Sequence, residues 1–75
     1  MLELSIRTPE QILFEGRAAS IILPGEMGVF EVLPFHKPLM SRLISGIIIF
    51  GQTKISITRG IVRVAGNKVT AIIQT

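Results

Sequence analysis

The side chains that could carry out acid–base or metal chemistry are few in this sequence. The chain has one histidine, His36, no cysteine, and five acidic residues, all of which are glutamate. A Ser-His-Asp arrangement lacks its aspartate, and a metal site would need one imidazole, several glutamates and no thiolate. The glutamates fall at strand exteriors or turns: Glu3, Glu10, Glu15, Glu26 and Glu31. We therefore predict a protein that is not an enzyme and has no metal or cofactor, in which His36 bonds a neighbouring carbonyl or packs on a partner.

Two features suggest a phosphate or nucleic-acid ligand, and neither fits closely. Gly25 and Gly28 are not followed by Gly-Lys-Ser/Thr, and a strand rather than a helix comes next. The net charge is +3, but the basic residues are scattered singly, and there is no Trp or Tyr to stack on bases. We expect no nucleic-acid binding. A small basic β-barrel that binds RNA or a small ligand remains the alternative function.

The segment from residue 23 to residue 39 is the most tightly specified part of the backbone. It holds three of the 4 prolines and two of the 7 glycines. Pro24-Gly25 is a turn signal, and Pro34 and Pro38 bias the residues before them towards extended geometry. These corners predict a stiff ribbon that presents His36 and Lys37 from a shaped loop.

The rest of the chain reads as short strands within one domain, residues 1–75. Leu2, Leu4 and Ile6 alternate with polar residues, as expected of a half-buried strand. Residues 11–15 form a second strand with Ile12 and Phe14 inward, residues 17–23 a third, and residues 39–44 are either helical or extended. Turn signals recur at intervals of about six to twelve residues, which is typical of an all-β sandwich or barrel. We predict a small β-sandwich of roughly eight to ten short strands.

An apolar surface is predicted where strands carry large side chains on both faces. If Ile47 and Ile49 point into the core, Ile48 and Phe50 face outward, where a partner or a second copy of the chain would cover them. Ile21 and Ile22 form a similar pair, with Ile22 outward. The alternative, a central strand covered on both sides by the sandwich, stays open for Ile22. We expect the isolated domain to self-associate or to bind a partner through Ile48 and Phe50.

The ribbon and its flanks match a known signature. Residues 23–39 read Leu-Pro-Gly-x-x-Gly-x-Phe-x-Val-Leu-Pro-x-His-x-Pro-Leu. The flanks add Thr8-Pro9-Glu10, Phe14-Glu15-Gly16, the run from Arg59 to Val64, and Asn67-Lys68-Val69-Thr70. This pattern resembles the epsilon subunit of rotary F-type ATP synthases, which is called delta in mitochondria, and it covers essentially the whole chain.

The resemblance implies a fold and a function. The fold is the N-terminal β-sandwich, and the function is that of a non-catalytic central-stalk subunit in a proton- or sodium-translocating synthase. Such a subunit clamps the gamma shaft to the ring of c subunits and couples ion flow to ATP synthesis. It meets the membrane only indirectly, through the c-ring. The expected location is the cytoplasmic face of a bacterial inner membrane as a peripheral subunit, with an organelle origin left open.

The resemblance also assigns contact residues. On the c-ring side it implies Glu26, Met27, Gly28 and Val29. On the gamma side it implies His36, Met40 and Ser41, to which the strand analysis adds Ile48 and Phe50.

Three departures from the family pattern affect these expectations. Glu31 stands where glycine is usual, and we predict an ordinary β conformation for it. Phe35 stands where glycine or a small polar residue is common. The family commonly continues into a C-terminal helical hairpin, whereas these residues end at Thr75, so we expect no helical hairpin and assign no hairpin function to them.

Overall fold

The computed structural model describes all residues from 1 to 75 and contains nine strands and no helix. The strands are β1 (Leu2–Arg7), β2 (Ile12–Ala18), β3 (Ile21–Gly25), β4 (Gly28–Val32), β5 (Leu39–Leu43), β6 (Gly46–Phe50), β7 (Thr53–Ile57), β8 (Arg59–Ala65) and β9 (Lys68–Gln74). The prediction of a small all-β sandwich is confirmed. No element of the structure is a helix long and apolar enough to cross a membrane.

All nine strands belong to one curled sheet. Its order is β2-β1-β9-β8-β5-β3-β6-β7, and β4 pairs with β3 beside this path. Every pairing is antiparallel except that of β1 with β9. Two-residue turns close the β6–β7 and β8–β9 hairpins, where Phe50 pairs with Thr53 and Ala65 with Lys68. The order places the first strand of the chain next to the last, with only β2 outside them at that edge of the sheet.

The core is built by strand alternation. Sixteen buried apolar residues form one cluster, and the β1 residues predicted to point inward, Leu2, Leu4 and Ile6, all belong to it. Phe14 packs on Phe50 across the core with ring centroids 4.6 Å apart and the planes tilted by 50°. A tilted aromatic pair at this separation stabilises the packing beyond its buried area.

The predicted outward orientation of Ile48 and Phe50 is wrong. Both side chains lie in the core, 0% and 4% exposed, whereas Ile47 is 47% exposed. The physical reason is the pairing of β6 with β7, in which Ile48 lies directly opposite Ile55. Opposed residues of an antiparallel pair share one face of the sheet, and Ile55 packs against the core. Ile48 and Phe50 are therefore structural residues in this fold.

Other details differ from the sequence-based interpretation. Ile12 is exposed instead of inward, because the ladder shifts register between Ile6 and Arg7 where Ile12 pairs. The second strand continues beyond residue 15, through Gly16 to Ala18, and residues 39–43 of the undecided segment form β5. The conformation of Glu31 was predicted correctly, since its φ is not positive.

Candidate functional site

The β3–β4 hairpin tip contains the residues predicted to face the c-ring. Gly25 pairs with Gly28, which leaves Glu26 and Met27 as a two-residue turn. The Met27 side chain is 98% exposed and Val29 is also largely exposed. The four predicted residues therefore lie together on a protruding tip with two apolar side chains in water.

Backbone hydrogen bonds tie this tip to β5. The Glu26 N–H donates to the Arg42 carbonyl at 3.1 Å, and the Ile44 N–H donates to the Pro24 carbonyl at 2.9 Å. Pro24 has no N–H to give, so its carbonyl and the neighbouring residues carry the connection. The tip is fixed to the neighbouring chain segment on its β3 side and to β4 through the hairpin ladder, as the prediction of a stiff ribbon requires.

Gly25→Ala should destabilise the domain. A Cβ at Gly25 would lie 2.6 Å from Phe30 Cε1 and 2.9 Å from the Gly28 carbonyl oxygen. The ring can rotate away, but the carbonyl belongs to the hairpin backbone, so the turn must widen. We expect a loss of about 1–3 kcal/mol in the free energy of unfolding. Urea denaturation of the two proteins measures it, and an unchanged midpoint would contradict the close packing.

His36 behaves as the sequence predicted. Its Nδ1 lies 2.6 Å from the carbonyl oxygen of Lys37, and the ring is half-buried. Because a carbonyl only accepts, Nδ1 carries the hydrogen in this arrangement. No cluster of three or more His, Cys, Asp or Glu residues that could hold a metal ion is present. The imidazole is positioned by its own loop.

Met40 and Ser41 lie on opposite faces of β5. Met40 pairs with Arg63 and is exposed, whereas Ser41 pairs with the buried Val62 and its hydroxyl donates to the Arg42 carbonyl at 3.0 Å. Ser41 is half-buried on the inner side. The two residues therefore do not present one continuous contact surface, and only Met40 lies on the outer face.

The outer face around Met40 was missed by the sequence analysis. Register places Arg42 opposite Ile61 and Ile61 opposite Ile72, so these side chains share a face with Met40 and Arg63. All five are exposed. We call this set the ladder face: Met40, Arg42, Ile61, Arg63 and Ile72. The signal was present in β8, where Arg63 must point outward and Ile61, two residues away, must follow it.

A loop before β5 links the ribbon to the last hairpin. Phe35 has a φ of 66° and is 88% exposed, and its N–H donates to Asn67 Oδ1 at 2.8 Å. The Asn67 carbonyl in turn accepts the N–H of Glu3 at 2.7 Å. One asparagine thus holds the ribbon loop, the β8–β9 hairpin and the first strand together.

An open groove in the surface offers no converging chemistry. It has a volume of about 670 Å³, lies over β1, β2 and β9, and includes Arg7, Glu15 and Ser5. Arg7 Nη2 lies 3.1 Å from Ser5 Oγ and 3.9 Å from Glu15 Oε2. This is a partly exposed ion pair in an open groove, an arrangement that stabilises little. Nothing here resembles a catalytic centre.

Comparison with known proteins agrees with the β-sandwich fold. All 75 residues match the family described as ATP synthase, Delta/Epsilon chain, beta-sandwich domain. The chain belongs to the ATP synthase delta/epsilon family. The resemblance found in the sequence is thereby confirmed, and the 23–39 ribbon is part of this family's sandwich domain.

Relatives within the delta/epsilon family cover nearly all of this chain. The ATP synthase epsilon chain of Nitratiruptor sp. is 40% identical in an alignment of 78 positions, which covers 97% of this chain and 60% of the relative. That of Carboxydothermus hydrogenoformans is 35% identical over 75 residues, covering 95% and 56%. The chain therefore spans somewhat more than half the length of these epsilon chains.

Two solved structures share the delta/epsilon sandwich fold. A chain of the Tetrahymena thermophila mitochondrial ATP synthase central stalk/c-ring structure superposes with a TM-score of 0.84 at 14% identity. A chain of the Euglena gracilis mitochondrial ATP synthase structure (OSCP/F1/c-ring) superposes with a TM-score of 0.87 at 20% identity. Each match covers 99% of this chain, and 63% and 51% of the respective neighbour. At these identities the likeness establishes the fold.

Proposed function

We propose that this chain is a non-catalytic rotor subunit of an ion-translocating ATP synthase, either proton- or sodium-driven. In this role it joins the gamma shaft to the c-subunit ring, so that ring rotation turns the shaft. The observation that carries the proposal is the family match over residues 1–75. Its location is then the cytoplasmic face of a bacterial inner membrane, as a peripheral subunit held there through the c-ring.

The two exposed surfaces support a mechanical role. The β3–β4 hairpin tip and the ladder face both connect to β5, through the Gly25–Leu43 pairing on one side and the β5–β8 ladder on the other. A force applied at the tip is thus transmitted to the ladder face through backbone hydrogen bonds, which are stiff and continuous across a sheet. Met27 and Val29 contact the c-ring, and Met40 with the ladder face contacts gamma.

Charge and apolar area on the ladder face fit a protein partner. Its three apolar side chains are flanked by Arg42 and Arg63, and arginine is enriched at protein interfaces because its planar group pairs with carboxylates. A matching surface on gamma would be apolar with carboxylates beside it. His36 lies on the loop leading into the same strand and belongs to the edge of this contact.

The test is binding to the gamma subunit of the same synthase, measured with the purified chain by pull-down and calorimetry. A gel shift against single-stranded RNA runs beside it. Binding to gamma without an RNA shift supports the proposal. An RNA shift without binding to gamma would overturn it in favour of the basic nucleic-acid module.

Introducing charge on the ladder face should weaken this binding. Met40 and Ile61 are diagonal neighbours across the β5–β8 ladder, close enough to enter one contact. We expect Met40→Glu with Ile61→Glu to raise the Kd for gamma by at least about tenfold. The two new carboxylates would be buried in the contact, opposite a surface whose own carboxylates pair with Arg42 and Arg63.

Ile47→Glu is the matched control. Ile47 is exposed to a similar degree as Ile61 but lies on β6, away from the ladder face. It should leave the Kd unchanged. If the affinity for gamma falls equally in both proteins, or does not fall in the double variant, the ladder face is not part of the gamma contact.

A further inference from the structure

Phe35 combines two unfavourable features. It is the one non-glycine residue with a positive φ, 66°, and its side chain is 88% exposed. A bulky residue in the left-handed region is an outlier, because its Cβ crowds the backbone carbonyl. Single exposed apolar side chains are common on protein surfaces, but they do not usually occupy a strained backbone as well.

The structure imposes this conformation on Phe35 from outside. Pro34 restricts the chain before it, and the Asn67 amide oxygen takes the Phe35 N–H at 2.8 Å. Asn67 is itself fixed by the bond from the Glu3 N–H to its carbonyl. The ring does not join the buried core cluster or the apolar residues packed against it. The loop is therefore pinned in a shape that projects an aromatic ring into water.

The surroundings of Phe35 are basic. His36 and Lys37 follow it in the chain, and Lys68 follows Asn67. A shallow groove beside Asn67 is lined by Met1, Glu3, Arg17 and Lys68, so one carboxylate faces several cations. A partner that binds the Phe35 ring would have an apolar pocket for it. Carboxylates around that pocket would pair with these basic side chains.

We propose that Phe35 is an anchor residue for the gamma subunit, seated in an apolar pocket with an acidic rim. The inference rests on the proposed function and extends the gamma contact from Met40 to the loop before β5. Anchors of this kind are rigid aromatic side chains presented in their bound conformation, so that little freedom is lost on binding. Backbone strain at such a site is retained because it holds the ring in place.

The test measures stability and binding in the same variants, because the proposal predicts that they move in different directions. Phe35→Asn removes the ring and places there a residue that tolerates positive φ. We expect its Tm to stay level or rise, while the Kd for gamma increases by about tenfold or more. Phe35→Gly should behave in the same way. Phe35→Leu keeps an apolar side chain and should lose less affinity than Phe35→Asn.

Two results would separate this inference from the function it rests on. If the unchanged chain binds gamma and Phe35→Asn binds equally well, Phe35 is not an anchor, although the rotor function stands. If the unchanged chain does not bind gamma at all, the proposed function itself fails. If Phe35→Asn lowers the Tm enough to explain the lost binding, Phe35 has a structural role. That result would also overturn the proposal that Phe35 is an anchor residue.

Discussion

Ile48→Thr combined with Phe50→Thr is expected to unfold the domain. Both side chains are fully or almost fully buried, and Phe50 packs against Phe14 as a tilted aromatic pair. Truncating a buried phenylalanine costs about 3–5 kcal/mol, and the threonine hydroxyl at Ile48 adds about 1–3 kcal/mol because it has no partner in an apolar core. A domain of this length has a total stability of roughly 4–11 kcal/mol. The double variant should therefore be largely unfolded at 25 °C.

A neighbouring residue provides the control for this prediction. Ile47→Thr makes the same chemical change one position earlier on β6, where the side chain is half exposed. Threonine keeps the β propensity of the strand in both proteins, so only burial differs. We expect Ile47→Thr to change the free energy of unfolding by about 0.5 kcal/mol or less. Circular dichroism with urea titration compares them. Equal stability for Ile47→Thr and Ile48→Thr would mean that β6 has the opposite face inward.

The inward orientation of Ile48 and Phe50 in β6 can be deduced from the sequence alone. Gly51-Gln52 is a two-residue connection suited to a tight hairpin, and in the strand that follows Ile55 and Ile57 alternate with polar residues, which places both isoleucines inward. A two-residue turn fixes the register, which pairs Ile48 with Ile55. Opposed residues share a face, so Ile48 had to point inward too. The apolar run in β6 contains no polar residue that would show which of its side chains face the core. The alternation of polar and apolar residues in β7 shows this, because the two strands are paired.

Local signals accounted for most of the architecture. Regular alternation in β1, the proline corners of the ribbon and the glycine turns each specify their own segment. Sheet order does not follow from such signals, because the pairing of β1 with β9 and of β5 with β8 joins residues distant in sequence. The register shift that exposes Ile12 is likewise set by the partner strand, as β-bulges generally are.

The candidate contact surfaces divide in the same way. The β3–β4 tip is one continuous segment, so the resemblance to the ATP synthase family could assign its proposed contact residues from sequence. The alternation of β8 places Ile61 and Arg63 on one face, but the ladder face as a whole could not be predicted, since it joins β5, β8 and β9 through their registers. The pairing of Phe35 with Asn67 is also invisible in sequence, because a loop residue and a hairpin residue meet only in the folded chain.

Replacing Gly28 with valine should uncouple the synthase while the sandwich stays folded. Gly28 has a φ of 129°, and a Cβ there would meet no atom within 4 Å, so the substitution acts through the backbone alone. A β-branched residue is strained in this region by about 1–3 kcal/mol, and the turn relieves the strain by changing shape. Met27 and Val29 then no longer lie where the proposed c-ring contact requires them.

The expected effect on the assembled enzyme follows from that loss. If docking of the tip weakens by about 1–3 kcal/mol, its affinity falls about 5- to 150-fold, and rotation of the ring is no longer transmitted fully to gamma. In membrane vesicles, ATP hydrolysis should continue while ATP-driven ion pumping decreases. The measured quantity is the ratio of pumping to hydrolysis in synthase assembled with either version of this subunit.

Gly51→Val separates backbone strain from the ring contact. Gly51 also has a positive φ, 56°, with open space around its Cβ position, but it lies in the β6–β7 hairpin. Its substitution should destabilise the isolated domain by a similar amount and leave the pumping ratio intact, because that hairpin is not assigned a contact. Loss of coupling in both variants would point to general instability. Normal coupling in Gly28→Val would mean that the β3–β4 tip does not contact the ring, and Met27 and Val29 would then lose their assigned role.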